Sequence, residues 1–309
     1  MTTLKNFLKT MLFALPLFVV GGCGDFEEAQ RDQPLPASET VISGGPMDLV
    51  INRPSINRMW GASDKDLWAV GQAAMAVHWD GKVWRRITVP TGSNLLAVWG
   101  SGSNDVWAVG EGGVVIHWDG TRWSRSTTPV PDSAALNDIW GTSASDVWAV
   151  GDSGVIIHYN GSAWSMYSLP SINNLLTVYV SSSTDGWIGG DLGMLLHWDG
   201  SAWSEVATGA ATPIVHLRGA SSSKAWMTKD NNELWVYDGM KWSKSTDSVY
   251  GSEIWLTSAS DLWVYGTSSV YHHDGTKWTT YSFFEIVFSV WSSSSSNAWT
   301  FFGDDIYRY

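Results

Sequence analysis

The sequence has few charged residues, and most of those it has are acidic. Charged side chains make up 16% of the 309 residues, and 18 Lys and Arg stand against 30 Asp and Glu, for a formal net charge of −12. A soluble domain usually carries about a quarter charged residues. The shortage of basic side chains argues against a nucleic-acid-binding protein, because affinity for phosphates comes from Lys and Arg.

Cysteine is nearly absent, and helical periodicity is lacking. The single cysteine, Cys23, excludes a domain held together by disulfide bonds. No segment repeats its apolar residues at helical spacing, and 31 glycines interrupt the chain too often for long helices. A hydrophobic share of 44% argues against intrinsic disorder. We therefore expect a β-rich folded protein.

The amino terminus has the pattern of an export signal. Two lysines precede an apolar run at 11–20, which is too short to span a bilayer as a helix. The run ends in Val-Gly-Gly-Cys at Cys23, which resembles the lipobox of bacterial lipoproteins. The resemblance implies a signal peptide over residues 1–22 and lipidation of Cys23. Ordinary secretory cleavage near this point, with Cys23 incidental, is the alternative.

A tether and one repetitive domain follow the signal peptide. Residues 23–46 are acidic, contain Pro and Gly, and show no apolar periodicity, so we expect a flexible tether. The folded domain is expected at 47–309. Gly24 after the lipidated cysteine implies the outer rather than the inner membrane. We expect a lipid-anchored, extracytoplasmic protein of the bacterial envelope that contacts the membrane only through its lipid.

The folded domain consists of seven similar units that start 36 to 41 residues apart. Their common feature is a pair of residues eight apart, both aromatic except for Arg218 in the fifth unit. With two further aromatic positions, this register includes every Trp except Trp235. The pairs are Trp60/Trp68, Trp99/Trp107, Trp140/Trp148, Tyr179/Trp187, Arg218/Trp226, Trp255/Trp263 and Trp291/Trp299. We interpret the Trp residues mainly as packing between units.

Each unit divides into four short strands. In the second unit these are 95–99, 105–109, 114–118 and a strand that begins at Trp123, after the tight turn Asp119-Gly120. Four strands in about forty residues are typical of a β-propeller blade. The sequence predicts an all-β, single seven-bladed β-propeller of four-stranded blades. The last unit ends after three strands, and we expect an N-terminal strand at 49–51 to close the ring.

The unit S-x-x-D-V-W-A-V-G…H-W-D-G-x-x-W resembles bacterial propeller repeats of the tectonin, BNR and WD types over residues 55–309. The resemblance implies a propeller fold and, for the tectonin type, carbohydrate recognition. The segment from Asp119 to Trp123 is one residue shorter than the sialidase Asp-box and lacks its upstream Ser. The typical tectonin unit is also somewhat shorter than this one, so the sequence departs from the glycosidase pattern and from the lectin pattern.

Two polar residue types recur in the units. An Asp precedes the second-strand Trp at Asp66, Asp105, Asp146, Asp185 and Asp261, and a His occurs in the third strand at His78, His117, His158, His197 and His272. They could be metal ligands or acid/base groups. We favour structural hydrogen bonds, which each Asp would accept from the N–H groups of its own turn and each His would make inside its blade. Metal ligands must converge on one ion, whereas residues one blade apart diverge around a ring. Lys and Asn at the equivalent Asp positions agree with this interpretation.

The turns between second and third strands predict an acidic face. They carry Glu111, Asp152, Asp191 and Asp230, on the face opposite the Asp-Gly hairpins and shared with the loops between blades. One interpretation is ordinary turn composition. The other is a surface that binds a polar ligand or a cation. No cofactor is expected, and Ca²⁺ is the cation that such a face would suit.

No motif of a catalytic site is present. The sequence has no Gly-rich phosphate loop, no Ser nucleophile elbow and no HExxH. We therefore predict a non-catalytic, monomeric binding propeller, lectin-like, with a glycan as partner. The alternatives are a protein-interaction scaffold that binds an envelope protein and a divergent propeller glycosidase or lyase.

Overall fold

A computed structural model describes residues 56–309, with the exception of 168, 170–172, 210, 267–268, 283–286, 295–296, 303–304 and 309. The signal peptide, Cys23, the tether and the strand at 49–51 lie outside the described residues. In the described part of the chain, no helix is long and apolar enough to cross a membrane.

The described chain is built from 27 strands, numbered here in chain order. The first strands of the units are β1 (Ile56–Ser63), β5 (Leu95–Gly102), β9 (Leu136–Ser143), β13 (Leu175–Ser182), β17 (Ile214–Ser221), β21 (Glu253–Ser258) and β25 (Val287–Ser294). The second strands are β2 (Asp66–Gly71), β6 (Asp105–Gly110), β10 (Asp146–Gly151), β14 (Asp185–Gly190), β18 (Lys224–Lys229), β22 (Asp261–Tyr265) and β26 (Asn297–Phe302). The third strands are β3 (Met75–Trp79), β7 (Val115–Trp118), β11 (Ile156–Tyr159), β15 (Leu195–Trp198), β19 (Leu234–Tyr237), β23 (Ser269–His273) and β27 (Asp305–Arg308). The fourth strands are β4 (Trp84–Arg86), β8 (Trp123–Arg125), β12 (Trp164–Tyr167), β16 (Trp203–Glu205), β20 (Trp242–Lys244) and β24 (Trp278–Ser282). Single 3-10 turns occur at Asp152–Gly154 and Asp191–Gly193.

The strands form antiparallel sheets in chain order, as the sequence predicts for propeller blades. Blades 1 to 6 each have four strands, β1–β4 to β21–β24, and a terminal sheet contains only β25, β26 and β27. The prediction of seven four-stranded blades is therefore wrong: the described residues form six. The predicted fourth strand of the last unit, at 49–51, is outside the described residues, so closure by an N-terminal strand is not shown.

Local sequence explains each blade. In β6 the residues after Asp105 are all buried, and the strand lies between two others. Trp107 pairs with Trp99 on one side and with His117 on the other. The hairpin that follows β7 turns at Gly120, whose φ of +92° favours glycine. Asp119 Oδ1 accepts hydrogen bonds from two backbone N–H groups of this turn, at 2.8 and 2.9 Å.

The Trp residues pack neighbouring blades together. Trp107 of blade 2 has its ring centroid 4.9 Å from Tyr159 and 5.4 Å from Trp164, both in blade 3. Corresponding contacts join blades 1 and 2, 3 and 4, and 4 and 5. Blade 1 packs in the same way against the terminal sheet, with Trp79 5.4 Å from Trp299. These contacts confirm that the Trp register is mainly packing.

Candidate functional site

Seven equivalent positions of the first strands form an inner ring, each two residues before the first aromatic position of its unit. The inner ring consists of Arg58, Ala97, Asp138, Thr177, His216, Glu253 and Ser289. Several of its side chains link successive blades. Asp138 accepts a hydrogen bond from Val178 N–H at 3.0 Å, and His216 Nδ1 accepts one from Ile254 N–H at 3.1 Å. The inner ring therefore joins blades through side chain to backbone bonds.

The charged members of the inner ring also connect blades that are not neighbours. Arg58 Nη1 lies 2.9 Å from Glu253 Oε1, which links blades 1 and 6. Arg218, the non-aromatic residue at the first aromatic position, lies 3.6 Å from Asp138 and 4.4 Å above the ring of Trp140. This cluster could not be predicted from the sequence, because its members are scattered along the chain and only the fold brings them together.

Burial controls the protonation of two groups in this cluster. Burial, with the nearby positive charges of Arg218 and Arg58, lowers the pKa of His216 well below its ordinary value of 6.5. Burial and the charge of Glu253 raise the pKa of Tyr265, whose hydroxyl donates a hydrogen bond to that carboxylate. His216 and Tyr265 are therefore neutral at physiological pH. The cluster acts as a clamp in the sense that its ion pairs hold blades together: Arg58–Glu253 joins blades 1 and 6, and Arg218–Asp138 joins blades 5 and 3.

The recurring Asp and His residues pair within blades. The distance from His Nε2 to Asp Oδ1 is 2.6 to 2.9 Å in Asp66–His78, Asp105–His117, Asp146–His158, Asp185–His197 and Asp261–His272. In blade 2, Asp105 also accepts hydrogen bonds from Trp107 and Ser101. The structural interpretation is thus correct, with His rather than turn N–H groups as the partner of Asp. Over the described residues, no group of three or more His, Cys, Asp and Glu side chains could hold a metal ion.

The predicted acidic residues lie in consecutive blades at the end that carries the interblade loops. Asn94, at the end of an interblade loop, donates to both carboxylate oxygens of Glu111 at 3.0 Å. Asn137 donates to Asp152 at 3.1 Å, and Asn174 donates to Asp191 at 3.0 Å. Asp230 is exposed, and its backbone N–H donates to Pro213. Three of the four predicted carboxylates therefore fasten their own turns to the start of a first strand.

A groove runs between blades 2 and 3, on the side of their outer strands. Its volume is about 590 Å³. Blade 2 and the loop after it contribute 126–129, and blade 3 contributes Tyr159, Ser162, Ala163 and Trp164. The rings of Tyr159 and Trp164 lie 5.4 Å apart and pack on Trp107, which fixes them as one wall. The lining contains no charged side chain.

The comparisons with known proteins agree with this architecture. No family model matches the sequence, and no curated protein matches it. A structure of YCF48 bound to D1 peptide is 16% identical, with 83% of this chain and 93% of that chain covered and a TM-score of 0.66. The WD40 propeller domain of Doa1 is 10% identical, with 88% and 95% covered and a TM-score of 0.71. Streptogramin B lyase is 13% identical, with 83% and 94% covered and a TM-score of 0.72.

The fold is a β-propeller. At these identities the likeness shows the fold alone, and its neighbours include propellers of the WD type. They have different activities, so function has to be argued from the sites of this chain.

Proposed function

We propose that this chain is a non-catalytic binding propeller that recognises carbohydrate through the groove between blades 2 and 3. The chemistry of the groove lining carries the proposal. Aromatic rings pack against the apolar faces of sugars, while Ser and Thr hydroxyls exchange hydrogen bonds with sugar hydroxyls. The partly buried Tyr159 supplies the accessible ring, and Trp164, which is 8% exposed, lies beside it. Ser126, Thr127, Thr128 and Ser162 supply the hydroxyls.

The dimensions of the groove suit a small saccharide. A volume of about 590 Å³ lies within the range of about 300 to 1,000 Å³ that small-molecule sites usually have. Its aromatic wall is already fixed by the core, because Trp107 is 2% exposed and contacts both Tyr159 and Trp164. A preformed wall lowers the entropy cost of binding.

The proposal places the protein at the cell envelope. Lipidation at Cys23 would hold it on the outer membrane of a bacterium, and the acidic segment 23–46 would let the propeller reach glycans beyond the lipid surface. Metabolic labelling with a radioactive fatty acid tests the anchor. We expect label in the wild-type chain and none in Cys23→Ser.

A protein partner at the loop-bearing end is the second candidate. Leu192 is 66% exposed and has a φ of +56°, a conformation that L residues other than Asn and Asp rarely adopt. It borders a cavity of about 340 Å³ beside Asp191. A photoreactive side chain at 192 should then give a protein adduct in intact cells. The same group at Met240, which is 89% exposed in a hairpin, serves as control.

Glycan binding by the full chain is the direct test of the first proposal. We expect a glycan array to give signals for neutral sugars, and Ser162→Ala to weaken them. Ser201→Ala is the matched control, because Ser201 holds the same position in the hairpin of blade 4. An array without any sugar signal would contradict carbohydrate recognition.

A further inference from the structure

One repeat position determines whether the space between two outer strands is filled. It is the residue that pairs with the start of the third strand, and it is occupied by Ile87, Ser126, Tyr167, Val206, Ser245 and Tyr281 in blades 1 to 6. We call it the filler position. Ile87 and Val206 pack partly buried against the apolar clusters beside them. Ser126 and Ser245 are the small, polar members of the set.

The filler residue Tyr167 occupies the interface between blades 3 and 4. Its ring lies 5.9 Å from Trp198 in an edge-on arrangement, and its hydroxyl oxygen accepts a hydrogen bond from the backbone N–H of Trp203 at 3.2 Å. The side chain of Tyr167 is thus a six-membered ring with one hydroxyl. It is held between two blades by ring packing and by a single hydrogen bond from a backbone N–H group.

The groove between blades 2 and 3 is the equivalent place with a serine as filler residue. Tyr159 and Trp164 correspond in the repeat to Trp198 and Trp203, and both line the groove. Ser126 replaces Tyr167 there, so the volume that a tyrosine ring fills in one interface is open in the other. The chain itself therefore shows what shape the open groove accepts.

We propose that this groove binds one neutral pyranose ring, seated where Tyr167 places its ring one blade later. This rests on the proposed carbohydrate function and specifies its site and ligand. A sugar hydroxyl would accept the hydrogen bond from the backbone N–H of Trp164, as Tyr167 Oη does from Trp203. Thr127, Thr128 and Ser162 would bind the remaining hydroxyls, and the uncharged lining excludes sialic and uronic acids.

A pyranose fits the lining better than the tyrosine side chain of a partner protein. Tyrosine offers one hydroxyl, whereas the hydroxyls of Ser126, Thr127 and Ser162 would all face an apolar ring edge. The fourth hydroxyl of the lining, that of Thr128, donates to Gly113 O at 3.5 Å. The volume of about 590 Å³ also exceeds what one phenol ring needs.

The experiment uses a variant in which a tyrosine side chain fills the groove between blades 2 and 3. Ser126→Tyr places in blade 2 the side chain that closes the next interface, and Ser245→Tyr makes the same change at the filler position of blade 5. The probes are methyl glycosides of glucose, galactose, mannose and N-acetylglucosamine, measured by saturation-transfer NMR and calorimetry on the full chain. The wall that faces Ser245 has His273 where the groove has Tyr159, so we expect no sugar site there. We therefore expect one site per chain in the wild type and in Ser245→Tyr, and at least a tenfold loss of affinity in Ser126→Tyr with an unchanged melting temperature.

A gain-of-site variant gives a second readout if Ser126→Tyr folds poorly. Tyr167→Ser should open the interface between blades 3 and 4 and raise the stoichiometry from one sugar to two. Sugar binding by Ser126→Tyr at wild-type affinity, or a stoichiometry of one in Tyr167→Ser, would overturn the inferred site and the groove as the place of binding, while carbohydrate recognition by the chain would still stand. Wild-type binding of N-acetyltyrosine amide but of no glycoside would overturn both.

Discussion

Arg58 and Glu253 form an ion pair between blades 1 and 6, with Nη1 and Oε1 2.9 Å apart and side chains only 16% and 7% exposed. Glu253 also accepts hydrogen bonds from Tyr265 and, at 3.4 Å, from Ser289 of the terminal sheet. The carboxylate of Glu253 therefore connects blade 6, blade 1 and the terminal sheet that lies between them.

Breaking this pair on one side should destabilise the fold strongly. Glu253→Gln leaves Arg58 without its ion partner, and loss of one member of a buried pair costs about 3 to 5 kcal/mol. Urea unfolding followed by Trp fluorescence measures the change. In a double-mutant cycle, Arg58→Met combined with Glu253→Gln should cost less than the sum of the single changes.

The exposed pair Lys244–Glu233 is the control for that experiment. Lys244 is 55% exposed, and its Nζ lies 2.6 Å from Glu233. Lys244→Ala should cost less than about 1 kcal/mol, because an exposed pair is screened by solvent. Equal losses at the two pairs would contradict the clamp role of Glu253.

Burial of neutral His216 should make stability depend on pH below 6.5. Burial lowers the pKa of His216 in the folded state. Below pH 6.5 the unfolded chain therefore binds a proton at this residue, whereas the folded chain does not. The contribution is fully present above the unfolded pKa and is lost as the pH falls, by up to about 1.4 kcal/mol per pH unit. Urea unfolding between pH 8 and 5 measures how the free energy of unfolding changes with pH. This change should be smaller in His216→Gln than in the wild type. An unchanged pH dependence of the unfolding free energy in His216→Gln would exclude burial of His216 as the cause.

Sequence periodicity was enough to predict the blades and their strands, because each unit repeats its aromatic residues and turns. It also singled out Trp235 as the Trp outside the register. The structure shows that Trp235 has Lys229 as a partner, with Lys229 Nζ 4.0 Å above the Trp235 ring. Such pairings could not be predicted, because a repeat alignment gives each residue its register and not its neighbour across the sheet. The groove was missed for a similar reason: Ser126 is unremarkable until Tyr167 shows what it replaces.

The Asp146–His158 pair should stabilise the fold only while the carboxylate is ionised. The hydrogen bond from His158, followed by that from Thr142, lowers the pKa of Asp146 below its ordinary value of 3.8. A lowered carboxyl pKa gives stability that is present above pH 4 and is lost as the pH falls through the folded value. Asp146→Asn should therefore be less stable than wild type at pH 7, with a difference that shrinks below pH 4 in urea unfolding. Lys224→Asn changes the equivalent position of blade 5, and its effect should stay constant between pH 5 and 2.

Gly110 is required by the close approach of two chain segments. A Cβ atom there would collide with the carbonyl oxygen of Asn94 and come within 2.9 Å of Leu95 Cα. Both are backbone atoms, so no side-chain rotation can relieve the overlap. Gly110→Ala should cost about 1 to 3 kcal/mol through overpacking, measured as a lower melting temperature. Gly102→Ala is the matched control in the same blade, because a Cβ there meets no atom within 4 Å. Since Asn94 also holds Glu111, the Gly110 variant should loosen the acidic turn, and faster hydrogen exchange in residues 110–114 would reveal it. A Gly110 variant as stable as Gly102→Ala would mean that the start of β5 can move away from β6 without loss.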